Sequence, residues 1–134
     1  RAPKAKIFYA DSGTGNESLS DAYFAAASSD VVLCAVFSSL RAWKGSVGLD
    51  PRHVDLINTL VGLGKPVVVA NFGSPYLLRN FPDVAAYLCF YRNTQQAQEI
   101  AARAIFGEMD VTGKLPVTIP GLAPLGTGLV LKAK

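Results

Sequence analysis

The chain alternates short, uninterrupted apolar runs with stretches whose apolar residues recur every three or four positions, and that alternation leaves few folds open. Residues 31–37 (Val-Val-Leu-Cys-Ala-Val-Phe) and 66–70 (Pro-Val-Val-Val-Ala) hold no charged or polar side chain. Runs of this kind mark strands covered on both faces, as in parallel sheets. Residues 6–10 and 85–91 read as two more strands. Between the runs lie helical signals. Ser18, with Asp21 three residues on, introduces the stripe Leu19, Ala22, Tyr23 and Ala26. Asp50-Pro51 is an N-cap followed by proline in the first helical position. The helix it opens buries Val54, Leu56, Ile57, Leu60 and Val61 and stops at Gly64. Ser74-Pro75 repeats the signal for a short helix through Leu78. A last helix starts at Asn93, turns Ala97, Ile100, Ala101, Ala104 and Ile105 inward, and ends at Gly107. Residues 114–120 are extended, because Pro116 and Pro120 forbid a helix. Strands alternating with helices on short connections predict βαβ units. The expected fold is therefore α/β: a three-layer αβα sandwich around a mostly parallel, flavodoxin-like sheet.

At 134 residues the chain fits one domain, with residues 1–120 forming it and the Gly- and Pro-bearing residues 121–134 a tail or linker. Half the residues are hydrophobic, 17% are charged and the mean hydropathy is +0.27. That balance suits doubly covered strands and a domain that packs against something else. Thirteen basic residues against ten acidic give a net charge of +3, dispersed without a basic stripe, so no nucleic-acid partner is expected. The apolar runs are too short to span a bilayer, so no membrane partner is expected either. Cys34 and Cys89 both lie in apolar runs and read as buried thiols. With no CxxC and a single histidine, the sequence calls for no disulfide, metal or cofactor.

In open α/β sheets, ligands bind beyond the carboxyl ends of the strands, which here means residues 11–16, 38–48, 71–74 and 91–93. Gly13-Thr14-Gly15 lacks the third glycine of a dinucleotide motif, since Ser18 stands there, and no P-loop lysine follows. It reads as an ordinary βα loop. Gly73-Ser74-Pro75 fails as a nucleophile elbow, because Tyr76 occupies the required glycine position; Ser74 is read as an N-cap. His53, in the first turn of a helix, reads as a solvated side chain. Trp43, flanked by Arg41 and Lys44, has two readings that both stay open: a stacking face for a sugar, or an anchor for its loop or an interface. Of the carboxylates, only Asp11 and Glu17 fall on or beside a carboxyl-edge loop. Glycoside hydrolysis uses two facing carboxyls or an equivalent acid/base partner, and no such pair is evident. The chain is not expected to be a complete catalyst.

The stretch Lys65-Pro-Val-Val-Val-Ala-Asn-Phe-Gly-Ser-Pro75 resembles the corresponding strand and turn in the C-terminal α/β domain of family 3 glycoside hydrolases. The likeness continues through Ala97…Ala101-Ala102…Ala104-Ile105-Phe106-Gly107-Glu108 and Gly113-Lys114-Leu115-Pro116-Val117-Thr118-Ile119-Pro120, its most specific segments. The ending Gly121-Leu122-Ala123-Pro124, with Gly126 and Gly128, is similar to the β-N-acetylglucosaminidase-type members. The resemblance implies a parent whose (β/α)8 barrel supplies the aspartate nucleophile. In glucosidase-type members the α/β domain lends an acid/base glutamate from an interface loop; the comparable residues 38–49 contain no Asp or Glu. That departure fits the N-acetylglucosaminidase type, whose acid/base histidine and its aspartate partner sit on a barrel loop, so no catalytic residue carries over. The implied role is a non-catalytic C-terminal domain of a β-N-acetylhexosaminidase-like hydrolase of O-glycosidic bonds. It would be partnered by the barrel and meet carbohydrate through it, with Arg41, Trp43, Asn71 and Arg92 as the expected contacts. The family domain usually begins further upstream with another strand, so an N-terminally shortened domain, with an open sheet edge and homodimers through that edge, is expected. A free-standing carbohydrate or small-ligand module is the alternative. A nucleotide-binding domain is disfavoured by the incomplete glycine motif.

Overall fold

The computed structural model describes residues 3–38 and 48–134. Helix α1 (Asn16–Ala27) leads into strand β1 (Val32–Val36), α2 (Pro51–Val61) into β2 (Val67–Asn71), and a 3-10 helix (Pro75–Asn80) into β3 (Ala86–Cys89); α3 (Gln95–Ile105) follows. The three strands are parallel and ordered β1-β2-β3. Their register sets Val36 beside Asn71 and Asn71 beside Cys89. The expected α/β sandwich is the observed class.

Because side chains alternate across a strand, this register sorts the core into two layers. Val36, Val67 and Val69 face Ala26 of α1, Ile57 and Leu60 of α2, and Leu77 and Phe81 of the second connection. Ala70 and Phe72 face the other way, onto Ala101 of α3 with Phe90, Ala97 and Ile105 around them. Ile57 and Leu60 are each buried to within a few per cent, which contributes roughly 1.5–3 kcal/mol per side chain. Asp50 caps α2 as its sequence predicts: its carboxylate accepts from the Arg52 N–H at 2.9 Å, with Pro51 in the first turn. The helix ends at Val61, and the chain turns through Gly64 at φ +70°, where a β-carbon would be strained.

Several local expectations differ from what is observed. Residues 6–10 form no strand, and Tyr9 is 88% exposed. Four apolar residues behind a lysine do not hold a strand without a ladder partner and a covering layer, and no ladder bond reaches them among the described residues. Among the described residues, β1 is covered on one face instead of two. Leu33 (48% exposed) and Phe37 (50%) project from its open face, because α1 and α2 both pack on the opposite face while α3 rests on Ala70 of β2 and on Phe72 and Phe90 just beyond β2 and β3. Helix α1 begins at Asn16, behind an extended Gly15, since the turn of residues 11–14 has already reversed the chain; Ser18 lies inside the helix. In α3 the cap is Thr94, whose Oγ1 accepts from the Ala97 N–H at 3.2 Å, and Ile100 stays exposed. Ser74 occupies the cap position of the 3-10 helix, but its side chain makes no capping bond.

Residues 121–134 fold back along residues 107–119. Val111 and Leu131 exchange backbone bonds of 2.8 and 2.9 Å, and the buried Ile119 and Ala123 close a tight turn whose residues 120–122 are exposed. Lys132 pairs with Asp110 at 2.7 Å.

Candidate functional site at the carboxyl edge of the sheet

The strand ends meet around a buried polar side chain. Asn71, the last residue of β2, is fully buried. Its Nδ2 donates to the Ser74 carbonyl at 2.8 Å and to Tyr87 Oη at 2.7 Å, and lies 3.6 Å from Cys89 Sγ. The Tyr87 hydroxyl lies 3.4 Å from the Pro75 carbonyl, and Cys89 Sγ lies 3.6 Å from the Gly73 carbonyl. One amide thus ties the turn after β2 to β3. Burial is the main reason that the Tyr87 and Cys89 protons are held more tightly than usual, with the Tyr87 hydroxyl raised most. Gly73 is required here. A β-carbon on it would collide with the Ser38 side chain and lie 2.9 Å from the Ser38 carbonyl oxygen, so β1 and β2 approach as closely as backbone allows at this point.

The end of β3 is strained. Tyr91 has φ +62°, the sole non-glycine residue with positive φ among those described, and the Arg92 N–H donates back to the Phe90 carbonyl at 2.7 Å. A hydrogen bond from residue i+2 to residue i around a positive-φ centre is the rare hand of the γ-turn. On the opposite face of the sheet, Phe72 stacks between Phe37 (4.9 Å, 11°) and Phe90 (5.2 Å, 21°), so one ring from the end of each strand forms a continuous pile.

A second cluster joins the loop of residues 11–15 to α2. Arg52 donates to the Thr14 carbonyl at 3.1 Å, to the Ser12 carbonyl at 2.9 Å and to Asp50 Oδ2 at 3.1 Å. Asp11 accepts from the Gly13 N–H at 2.8 Å and from Thr14 Oγ1 at 3.1 Å. These bonds, that from Gly13 foremost, hold the Asp11 carboxyl below the ordinary aspartate range. The Arg52 side chain does the same for Asp50. His53 lies near both carboxyls and is partly buried, with Nε2 enclosed and unpartnered. Its sequence reading as a solvated side chain therefore needs amending.

Of the expected sugar contacts, Arg41 and Trp43 lie outside the described residues. Asn71 and Arg92 sit at the carboxyl ends of neighbouring strands but differ in kind. Asn71 is enclosed and engaged with backbone and Tyr87. Arg92 is exposed and makes no ion pair or side-chain hydrogen bond among the described residues. Sequence reasoning missed Arg52, whose backbone partners lie 38 and 40 residues earlier, and Tyr91, since tyrosine carries no preference for positive φ. Cys34 and Cys89 are free thiols, with burial raising Cys34 to about 11. Among the described residues no three metal-ligating side chains converge, and no helix is long and apolar enough to cross a membrane.

The carboxyl edge can present backbone groups, an aromatic ring and a guanidinium, while its aspartates are occupied within their own turns. Residues 3–124 match the family described as "Glycosyl hydrolase family 3 C-terminal domain". The chain is also similar to a "Lysosomal beta glucosidase" of Dictyostelium discoideum, 32% identical over 117 residues, which covers 81% of this chain and 14% of that protein. It therefore spans a small part of the length of the curated relative it matches. On the extent of that family match, nearly the whole described sheet and both of its helical layers, the chain belongs to the C-terminal domain of glycosyl hydrolase family 3.

Proposed function

We propose that this chain is the supporting domain of a β-glycoside hydrolase: it packs on a catalytic barrel and supplies neither the nucleophile nor the acid/base group. The observation that carries this reading is the state of the carboxylates. Asp11 is bonded to Gly13 and Thr14, Asp50 to Arg52, and the loop of residues 38–49 has no Asp or Glu. Two carboxyls free to act across a sugar are what hydrolysis of the bond uses. The open face of β1 and the exposed Ile7 and Tyr9 suit a domain that buries further surface against a neighbour.

We assign the parent to the β-N-acetylhexosaminide class, because the acid-free loop removes the glutamate that a glucosidase-type domain would lend. A β-glucoside substrate is the second reading, favoured by the name of the Dictyostelium relative. The open outer edge of β1 also supports a homodimer paired through that edge, which light scattering at high protein concentration tests.

The experiment is an assay of the chain alone, and of the polypeptide that carries it, with chromogenic N-acetylglucosaminide and glucoside. No turnover by the chain, and N-acetylglucosaminide turnover by the parent, is expected. Turnover by the repurified chain overturns the supporting role. Glucoside as the parent's preferred substrate overturns the hexosaminide assignment and leaves the supporting role standing.

A further inference from the structure

We infer that Tyr91 and Arg92 form a pyranose-binding subsite at the end of β3, with Tyr91 as the stacking platform and Arg92 as the hydroxyl-binding arm; this rests on the supporting-domain reading above. Three observations lead there. First, Tyr91 is held where tyrosine is not at ease. Its φ of +62° and the 2.7 Å bond from the Arg92 N–H to the Phe90 carbonyl define a strained turn, and such conformations persist only where the surroundings impose them. Glycine would adopt this backbone without cost, yet a large aromatic side chain stands there.

Second, the strand end that leads into this turn is held in place. Cys89 Sγ, two residues before Tyr91, lies 3.6 Å from both Asn71 Nδ2 and the Gly73 carbonyl. Asn71, with no exposed surface, braces that arrangement from β2 through Ser74 and Tyr87. This part-buried network ties the turn after β2 to β3, just before the turn from which the ring projects.

Third, what the turn presents is chemically apt. Tyr91 is 43% exposed, so part of its ring meets solvent, and the next residue is a guanidinium with no partner among the described residues. An aromatic face offers a surface to the C–H face of a pyranose. A guanidinium offers a planar fork of donors to its hydroxyls. Carbohydrate sites combine these two elements with a few fixed polar groups. The position matches the edge at which open α/β sheets bind ligands.

The test is a titration of the intact chain with N,N′-diacetylchitobiose, read by 1H–15N NMR, with cellobiose in parallel. Millimolar binding, with shifts centred on Tyr91, Arg92 and Gly73, is expected for either sugar, the parent's substrate class deciding which is stronger. Tyr91→Gly is expected to raise the melting midpoint while weakening binding at least tenfold, and Arg92→Ala to weaken it several-fold with an unchanged midpoint. Tyr91→Phe, which keeps the platform, retains most of the binding. No shift with either sugar at the limit of solubility overturns the subsite and leaves the supporting-domain reading intact. Equal binding by Tyr91→Gly and wild type also overturns it, and so does a loss on Tyr91→Phe as large as that on Tyr91→Gly. Turnover by the chain alone refutes the supporting-domain reading instead, whatever the NMR shows.

Discussion

Replacing Asn71 by Asp changes one NH2 group into an oxygen at the most enclosed polar position of the molecule. The wild-type amide donates to two acceptors, the Ser74 carbonyl at 2.8 Å and Tyr87 Oη at 2.7 Å. A carboxylate offers no donor, so it faces the Ser74 carbonyl acceptor to acceptor while unhydrated. An uncompensated buried charge costs about 3–5 kcal/mol. A protonated carboxyl keeps one O–H and recovers one of the two bonds, so the cost at low pH falls to roughly 1–1.5 kcal/mol. The variant's carboxyl is therefore raised in the folded state above its unfolded value. For such a group the stability is fully present below the unfolded pKa and is lost as pH rises through the folded one. Urea denaturation of wild type and Asn71→Asp, at pH 4 and at pH 7, reads the difference at each pH and cancels the pH dependence they share. The destabilisation is expected to grow by about 2 kcal/mol or more from pH 4 to pH 7. A penalty of the same size at both, or one below about 1 kcal/mol at pH 7, refutes the reasoning that Asn71 is an enclosed donor.

Cys34, raised to about 11 by burial against an ordinary 9.0, makes the fold lose stability as pH climbs from 9 towards 11, by roughly 2–3 kcal/mol at most; the thiol is also expected to react with Ellman's reagent at pH 8 more slowly than the unfolded chain does. Asp11, Asp50 and Asp110 are all held below the ordinary 3.8, so their contribution is present above that value and fades as pH drops beneath it, seen as a melting midpoint that falls on acidification below pH 4. Phe72→Ala should cost about 3–5 kcal/mol in urea denaturation, whereas Phe37→Ala, half exposed and stacked on one ring only, should cost less than half as much. Equal losses would break the account of the ring pile.

What could be read from the sequence was whatever local chemistry decides. Asp50-Pro51 announces α2 because the cap bond runs between neighbours, Asp50 to the Arg52 N–H. The run Val67–Ala70 announces β2 because a strand at the centre of a sheet needs apolar side chains on both faces, and Val69 and Ala70 are buried on opposite ones. The same rule applied to residues 31–37 went too far, since covering depends on which helix the topology delivers. Leu33 has the composition of a doubly covered strand without the helix. The site was harder. Asn71 reads as a polar loop residue fit to touch a ligand, but its true partners, Tyr87 and Cys89, follow by 16 and 18 residues, a separation no local pattern encodes. Likewise the positive φ of Tyr91 belongs to a turn closed from the Arg92 N–H to the Phe90 carbonyl, and no propensity scale for tyrosine contains that.

The pile of Phe37, Phe72 and Phe90 makes the sheet mechanically lopsided. To slide β1 past β3 at their carboxyl ends, two ring contacts must part together, each contributing on the order of 0.5–1.5 kcal/mol beyond its area. The first residues of the strands have no such clasp. Val31, just before β1, is more than half exposed. Breathing of the sheet should begin at that loose end, while amides near Phe72 and Phe90 exchange with solvent only when the whole domain opens. The turns of residues 71–74 and 91–93 at the clasped end are thereby carried on a firm base, and whatever they meet meets them in a fixed spacing.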